Sequence, residues 1–319
     1  MNSIIIDGLS FALPLFIIAI GGIYSERSGV VNLALEGMLG FGAFVGGLFF
    51  VLVSGFFIAS STMPMYLSFP IAALGGAIFA MLHAVLTIKF HANQVISGVV
   101  VNIVSLALTG FLTSTINGML FGKPSVKFMV STSPRWTVPV LSDIPILGAA
   151  FTNIYPFEII ILVVAFFAWY VLYHTPFGLH LRAAGDNPQA LEGAGIKVSR
   201  VRFIAIMLSG AFAGIGGMSF AYSIMTSFSP ALYFGAGYLA IAALIFGNWK
   251  ILPTLGACLM FGFARSAAYQ LVLSLNADAS YTDLTMIVPY LLTLLLLVFF
   301  GKSNRAPRAL GELYDKSKR

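Results

Sequence analysis

Nine apolar runs, each near the length of a bilayer crossing, follow one another through 319 residues with almost no charge inside them. They lie near 4–22, 33–53, 66–88, 94–115, 155–173, 203–222, 234–248, 251–273 and 284–301. A hydrocarbon layer of about 30 Å takes roughly 20 helical residues, which all but the seventh run supply. With 59% hydrophobic and 9% charged residues and a mean hydropathy of +0.96, the chain carries too much apolar surface for one water-soluble core. The expected fold is all-α: a polytopic membrane protein of about nine transmembrane helices, one short, in a single domain over residues 1–319. A soluble catalytic domain is excluded. The start, MNSIIIDGLS, has no basic n-region and no small-residue cleavage site, so the first run is kept as a span.

Charge orients the bundle. Lys and Arg are retained in cytoplasmic loops and tails. With nine spans, Arg27, Lys89, Arg182, Lys197, Arg200, Arg202, Lys250 and the tail residues Lys302, Arg305, Arg308, Lys316, Lys318 and Arg319 share one side. Only Lys123, Lys127 and Arg135 fall on the other, and Arg265 alone lies within a span. The amino terminus is therefore expected outside, and the basic tail 302–319 in the cytosol. If the short seventh run re-entered instead of crossing, the loop 174–202 and the tail would land on opposite faces, against both basic clusters. A net charge of +6 placed this way does not point to nucleic acid. The partners of these residues are membrane lipid and proteins at the inner face.

The loop 174–202 carries the most distinctive local sequence. Asn187 is suited to cap a short helix, with Pro188 at its first position and Gly193 or Gly195 ending it in a left-handed turn. A rigid knob between two spans is a docking element for a cytosolic motor, not a catalytic site. The outer loop 116–153, with Pro124, Pro134, Pro139, Pro145 and Trp136, reads as an ordered, irregular cap. Gly42 with Gly46 and Gly210 with Gly214, followed by Gly216 and Gly217, have the spacing that lets helix backbones meet in lipid. Ordinary bundle packing accounts for them more simply than a gating hinge. A faint echo between Leu74–Ala84 and Leu255–Arg265 resembles an internal repeat, too weakly to carry an argument.

Few polar residues remain for a solute path: Asn32 and Glu36 at the start of the second run, Asn93 and Gln94 at an entrance, then Asn102 and Arg265. Asn32 is expected to cap the second span, with Glu36 one turn in and Arg27 as its local partner. His83 reads as a satisfied packing histidine. Cys258, the single cysteine, excludes an internal disulfide and any cysteine-rich metal site. Four scattered histidines form no ligand set, and no Gly-x-Ser-x-Gly or HExxH motif is present. Gly118, Gly122 and Lys123, and Gly301, Lys302 and Ser303, fail the phosphate-loop spacing. Any nucleotide that drives this protein binds to another chain.

The stretches YSERSGVVNLALEGMLGFGAF, HANQVISGVVVNIVSLALTGFL and FGLHLRAAGDNPQALEGAGIKVSRVRFIAIMLSGAFAGIGGM resemble the inner-membrane permeases of ribose- and branched-chain-amino-acid-type ATP-binding-cassette importers. Within that group they are most similar to the nucleoside and simple-sugar subgroup, and the likeness runs from about Leu13 to Phe300. The resemblance implies one half of a solute importer in a bacterial cytoplasmic membrane. It implies a second, non-identical permease chain and a cytosolic ATPase that binds ATP and magnesium. It also implies an extracytoplasmic binding protein, often a lipoprotein, while no cofactor sits on this chain. By likeness the coupling element is Gly178, Arg182, Ala183, Gly185, Asn187, Pro188, Ala190, Gly193, Gly195 and Ile196. The rival reading is an ion-coupled secondary transporter, which needs intramembrane carboxylates. The acidic residues instead read as lying at span ends, in loops or in the tail.

Overall fold

The structure, a computed structural model, describes residues 2–58, 61–130, 133–144, 147–230, 235–275, 284–300 and 305–314. It is an all-α membrane bundle. In chain order the helices are α1 (Asn2–Arg27), α2 (Leu35–Val53), α3 (Met63–Ala84), α4 (Gln94–Phe121), α5 (Pro156–His174) and α6 (Pro176–Asp186). They continue with α7 (Pro188–Gly193), α8 (Val198–Phe220), α9 (Ala236–Phe246), α10 (Ile251–Ser274) and α11 (Val288–Phe300). Among the described residues seven helices are long and apolar enough to cross a membrane: α1 to α5, α8 and α10, with short extensions to Phe56, Lys89 and Ile224. Among the described residues the seventh and ninth apolar runs form the shorter α9 and α11.

α1 is the centre. It is apolar all round, and every residue from 12 to 26 is buried, as expected of a helix enclosed by other helices. It packs on α8 and α10, while α3 packs on α8 and α2. The outer helices α4, α5 and α11 leave Ile103, Phe111, Phe166, Phe167, Leu294 and Val298 exposed, a surface suited to lipid.

Where α2, α3 and α8 cross, backbone meets backbone. A Cβ on Gly42 would fall on Gly214 Cα, one on Gly76 on the Gly210 carbonyl oxygen, and one on Gly214 on the Ala72 carbonyl oxygen. Gly42 and Gly214, one from each pair singled out by spacing, thus meet across this three-helix contact, while Gly210 meets Gly76 of α3.

The two ends of the bundle differ. At the basic end, Arg27 Nε donates to Trp249 O at 3.0 Å, Ala309 N to Gly185 O at 2.8 Å and Gly311 N to Gly29 O at 3.1 Å. At the far end, Gln270 Nε2 lies 3.4 Å from Asp7 Oδ2, and two short strands pair antiparallel, β1 (Phe128–Met129) with β2 (Ser227–Phe228). Phe128 and Phe228 pack with Phe44 there, so the outer loop is pinned to the bundle. The first helix therefore begins at the end opposite to the one where residues 305–314 are seated. The remaining tail residues lie outside the described residues.

Gly214→Val is expected to lower the unfolding free energy of the detergent-purified protein by about 1–3 kcal/mol, because three helices must separate to admit it. Gly118→Ala, whose Cβ would meet nothing within 4 Å, is expected to leave the melting midpoint unchanged or raised. Thermal unfolding of both variants checks the pair.

Candidate functional site

Two passages through the bundle are broken, and they meet. After α1 the chain does not run straight into α2. Residues 28–34 turn back between α3, α4 and α8 without helical hydrogen bonds of their own. Asn32 Nδ2 donates to Ser209 Oγ at 2.8 Å, about three turns or roughly 16 Å into α8. The second break precedes α9. Its 11 residues span about 16 Å, half a bilayer. Ser227, shortly before it, pairs with Met129 at the far end, and Trp249 just after it bonds Glu26 and Arg27 at the basic end. The chain therefore passes from the far end at Ser227 to the basic end at Trp249, with α9 as its helical part.

Backbone that leaves a helix inside a membrane must find partners within the protein. Here side chains supply them. Val31 N donates to Gln94 Oε1 at 2.7 Å, and His83 Nε2 bonds Val31 O at 3.1 Å while its Nδ1 pairs with Ser97 Oγ at 3.0 Å. Asn102 Oδ1 accepts Gly37 N at 2.7 Å, and its Nδ2 donates to Leu33 O and Tyr238 OH at 2.8 and 2.9 Å. Ser105 Oγ donates to Gly37 O at 2.7 Å. Glu36 completes the set by accepting Gly235 N at 2.9 Å and Gly237 N, at the amino end of α9, where helix polarity favours a negative charge.

Beside these bonds lies a cavity of about 270 Å³, lined by Glu36, Gly40, Asn102, Ser105, Thr109 and Tyr238 among others. Its α4 wall belongs to a buried stripe of Gln94, Ser97, Ser105, Thr109, Thr113 and Asn117, which runs the length of that helix. Hydroxyls and amides without net charge dominate it. Such a track suits a neutral polar solute.

Of the sequence-derived path residues, the fold brings Glu36 and Asn102 together at this cavity. Asn32 lies beneath it, tied to Ser209, with its Oδ1 accepting Ala34 N at 3.1 Å. Its place is a turn ahead of α2 rather than the helix cap, which is Ala34. Asn93 caps α4 at the basic end through Val95 N and Ile96 N, and Arg265 sits near the far end over the Phe11 ring at 4.5 Å. Arg27, expected beside Glu36, bonds Trp249 instead, because the turn back of residues 28–34 carries Glu36 away from the basic end.

The expected knob is present. Asn187 Oδ1 accepts Ala190 N at 3.0 Å, Pro188 opens α7, and Gly195 has φ +84°. Asn187, Ala190, Gly193 and Gly195 are exposed. Pro188 and Leu191 are buried and anchor the turn. The preceding α6, capped by Thr175 Oγ1 on Gly178 N at 3.2 Å, is an addition to the expected fold. Gly178 and Gly185 lie in α6 as close contacts, where a Cβ would strike the Val171 and Arg27 carbonyl oxygens. Arg182 lies over the Tyr173 ring at 5.6 Å, and Ala183 and Ile196 pack against the core.

One residue passed over as a path or coupling candidate joins the knob to the broken segment. Arg202, 3% exposed, donates to Ser28 O at 3.0 Å, Ala184 O at 3.2 Å and Glu312 O at 3.0 Å. A single guanidinium thus fastens the α1–α2 turn, α6 and the carboxyl-terminal turn. In the sequence it was one basic residue among several. Its burial could not be read there.

The family model described as branched-chain amino acid transport system, permease component, matches residues 4–297. The guanosine ABC transporter permease protein NupQ of Bacillus subtilis is 39% identical over 98% of this chain and 96% of its own length. The nucleoside ABC transporter permease protein NupC of Lactococcus lactis is 36% identical over 100% of this chain and 98% of its own. A second B. subtilis guanosine permease protein, NupP, is 24% identical over 92% of this chain and 79% of its own. No solved structure matches.

Arg202→Met is expected to leave buried carbonyls unpaired and to cost about 1–3 kcal/mol, with Arg202→Lys recovering only part of it. Limited proteolysis in detergent micelles should show earlier cleavage in the 174–202 loop of Arg202→Met.

Proposed function

We propose, from the premise that this chain belongs to the branched-chain amino acid transport system permease family, that it is one half of an ATP-driven importer that carries nucleosides through the broken-helix seam. The chain is a multi-pass ABC transporter permease, a type of protein that is not itself an enzyme. Its relatives named for guanosine and nucleosides support the solute class, as does a largely apolar cavity whose polar groups are Asn102, Ser105, Thr109 and Tyr238 beside Glu36. A purine or pyrimidine nucleoside is neutral, hydroxylated and amide-like, and it finds matching partners in Asn102, Ser105, Thr109 and Tyr238.

The basic end faces the cytosol in this reading, which leaves the amino terminus outside. The exposed face of α7, with Asn187, Ala190, Gly193 and Gly195, is the surface gripped by a separate ATPase that holds ATP and magnesium. Gly178, Arg182, Ala183, Gly185, Pro188 and Ile196 hold that face in position. A second, non-identical permease chain completes the path, in keeping with a B. subtilis pair of guanosine permeases that both resemble this chain. An extracytoplasmic binding protein delivers the solute.

The observation that carries the proposal is the direct hydrogen-bonded route from knob to cavity. It passes from α7 through α6 to Arg202 and Ser28, then along residues 28–37 to Asn102 and the cavity wall. Work done on α7 is therefore delivered to the segment that shapes the path. Alternating access needs only two packings of that seam, which the partners bias in turn. An ion-coupled mechanism has less to stand on, because the Glu36 carboxylate is occupied by the amino end of α9.

The test is uptake of radiolabelled guanosine into vesicles that hold the assembled transporter. Uptake is expected to require enclosed ATP and to survive collapse of ion gradients. Ala190→Arg, on the exposed knob, should abolish uptake without loss of inserted protein. Uptake driven by an ion gradient without ATP would refute the importer reading.

A further inference from the structure

A second crevice, separate from the seam, opens at the far end between α1, α10 and the outer loop. It holds about 350 Å³, at the lower end of the roughly 300–1,000 Å³ usual for ligand sites. Asp7, Ser10, Arg135, Ser223, Arg265 and Ser266 line it. Asp7, Arg135 and Ser223 have partners in Gln270, Tyr155 and the Ser10 carbonyl oxygen, but other polar groups here do not. The Ser266 hydroxyl is buried and has no hydrogen-bond partner among the described residues. The Ser10 hydroxyl and Glu158 Oε1 approach each other without closing to bonding geometry, and both are buried. Arg265 is half-buried, lies over the Phe11 ring, and makes no hydrogen bond to the described residues. Buried polar groups are ordinarily paired, so several unpaired groups around one cavity mark a place where something else supplies the partners.

The walls are rigid. A Cβ on Gly8 would strike Phe263, and one on Gly262 would strike the Gly8 carbonyl oxygen, so α1 and α10 lie in backbone contact beside the crevice. The Arg265 guanidinium carbon lies 4.5 Å from the Phe11 ring centre, a cation–π contact that favours this position. A guanidinium is planar and offers two parallel donors, which match adjacent acceptors such as the carbonyl oxygen and ring nitrogen of guanine. Asp7, across the same crevice, is an acceptor suited to a ribose hydroxyl. Unpaired serine hydroxyls serve either role.

We propose that this far-end crevice is a vestibule site for a purine nucleoside, in which Arg265 takes the acceptor edge of the base and Asp7 a ribose hydroxyl. The proposal rests on the nucleoside reading above. It adds a holding site ahead of the Glu36–Asn102 cavity, so that solute released at the outer mouth is captured before the seam opens.

The experiment is photolabelling of the assembled transporter, without its binding protein, by radiolabelled azidoguanosine, followed by peptide mapping. Label is expected in peptides of α1 and α10, displaced by guanosine but not by inorganic phosphate. Arg265→Gln should cut it about tenfold, the loss of one bidentate contact, and Arg265→Lys should not restore it. Ser266→Ala removes a hydroxyl that the fold does not use, so it should keep thermal stability and still lower labelling. Label confined to the seam, displacement by phosphate, or unchanged labelling of Ser266→Ala and Arg265→Gln would each overturn the vestibule. If the labelling fails while the same transporter, with its binding protein restored, imports guanosine, only this site falls. If no nucleoside is imported at all, the reading beneath it falls as well.

Discussion

Broken backbone inside a membrane has to be hydrogen-bonded by protein, and this requirement organises the molecule. Residues 28–34 leave helical geometry, and α2 and α9 begin, at depth, where lipid offers no donor or acceptor. His83, Gln94, Asn102, Ser105 and Glu36 meet the need from α3, α4 and α2, while Ser209 of α8 holds the Asn32 side chain. Because the partners of the first five are main-chain groups of another element, each of these side chains fixes where two elements sit relative to one another.

The same arrangement gives the bundle a soft line through a hard body. α1 is enclosed on every side, and α2, α3 and α8 meet through glycine backbones that tolerate no displacement short of separation. The seam, by contrast, is held by a few directional bonds around a cavity. Motion imposed at the basic end finds its least resistance there. Arg202 is the fastening point, since it binds the turn after α1, the end of α6 and the carboxyl-terminal turn at once.

Much of this was legible in the sequence. Apolar runs of bilayer length located the seven long helices within a few residues, because length and hydropathy are local properties. The knob was legible for the same reason: Asn187, Pro188 and Gly195 act on their own neighbours. What escaped notice is non-local. Glu36 was assigned to Arg27, 9 positions away, whereas its partners Gly235 and Gly237 lie 199 and 201 positions further on. Nothing in the run 33–53 marks α2 as starting deep. The close contacts of Gly178 and Gly185 in α6 are likewise visible only in the fold. The α4 stripe was readable, since Gln94, Ser97, Ser105, Thr109, Thr113 and Asn117 recur at helical spacing, and its polarity in a transmembrane run is a signal of a lined path.

The central claim is that a water-accessible solute path follows the seam between α2, α4 and α9. The direct measurement is labelling of single cysteines by a membrane-impermeant, hydrophilic thiol reagent, in a protein whose only native cysteine, Cys258, is replaced by serine. Ser105→Cys and Thr109→Cys should react in the assembled transporter and be protected by guanosine, while Phe111→Cys on the lipid-facing side of the same helix should stay unreactive. Equal reactivity at all three positions, or none at Ser105 and Thr109 at any stage of ATP turnover, would contradict the account.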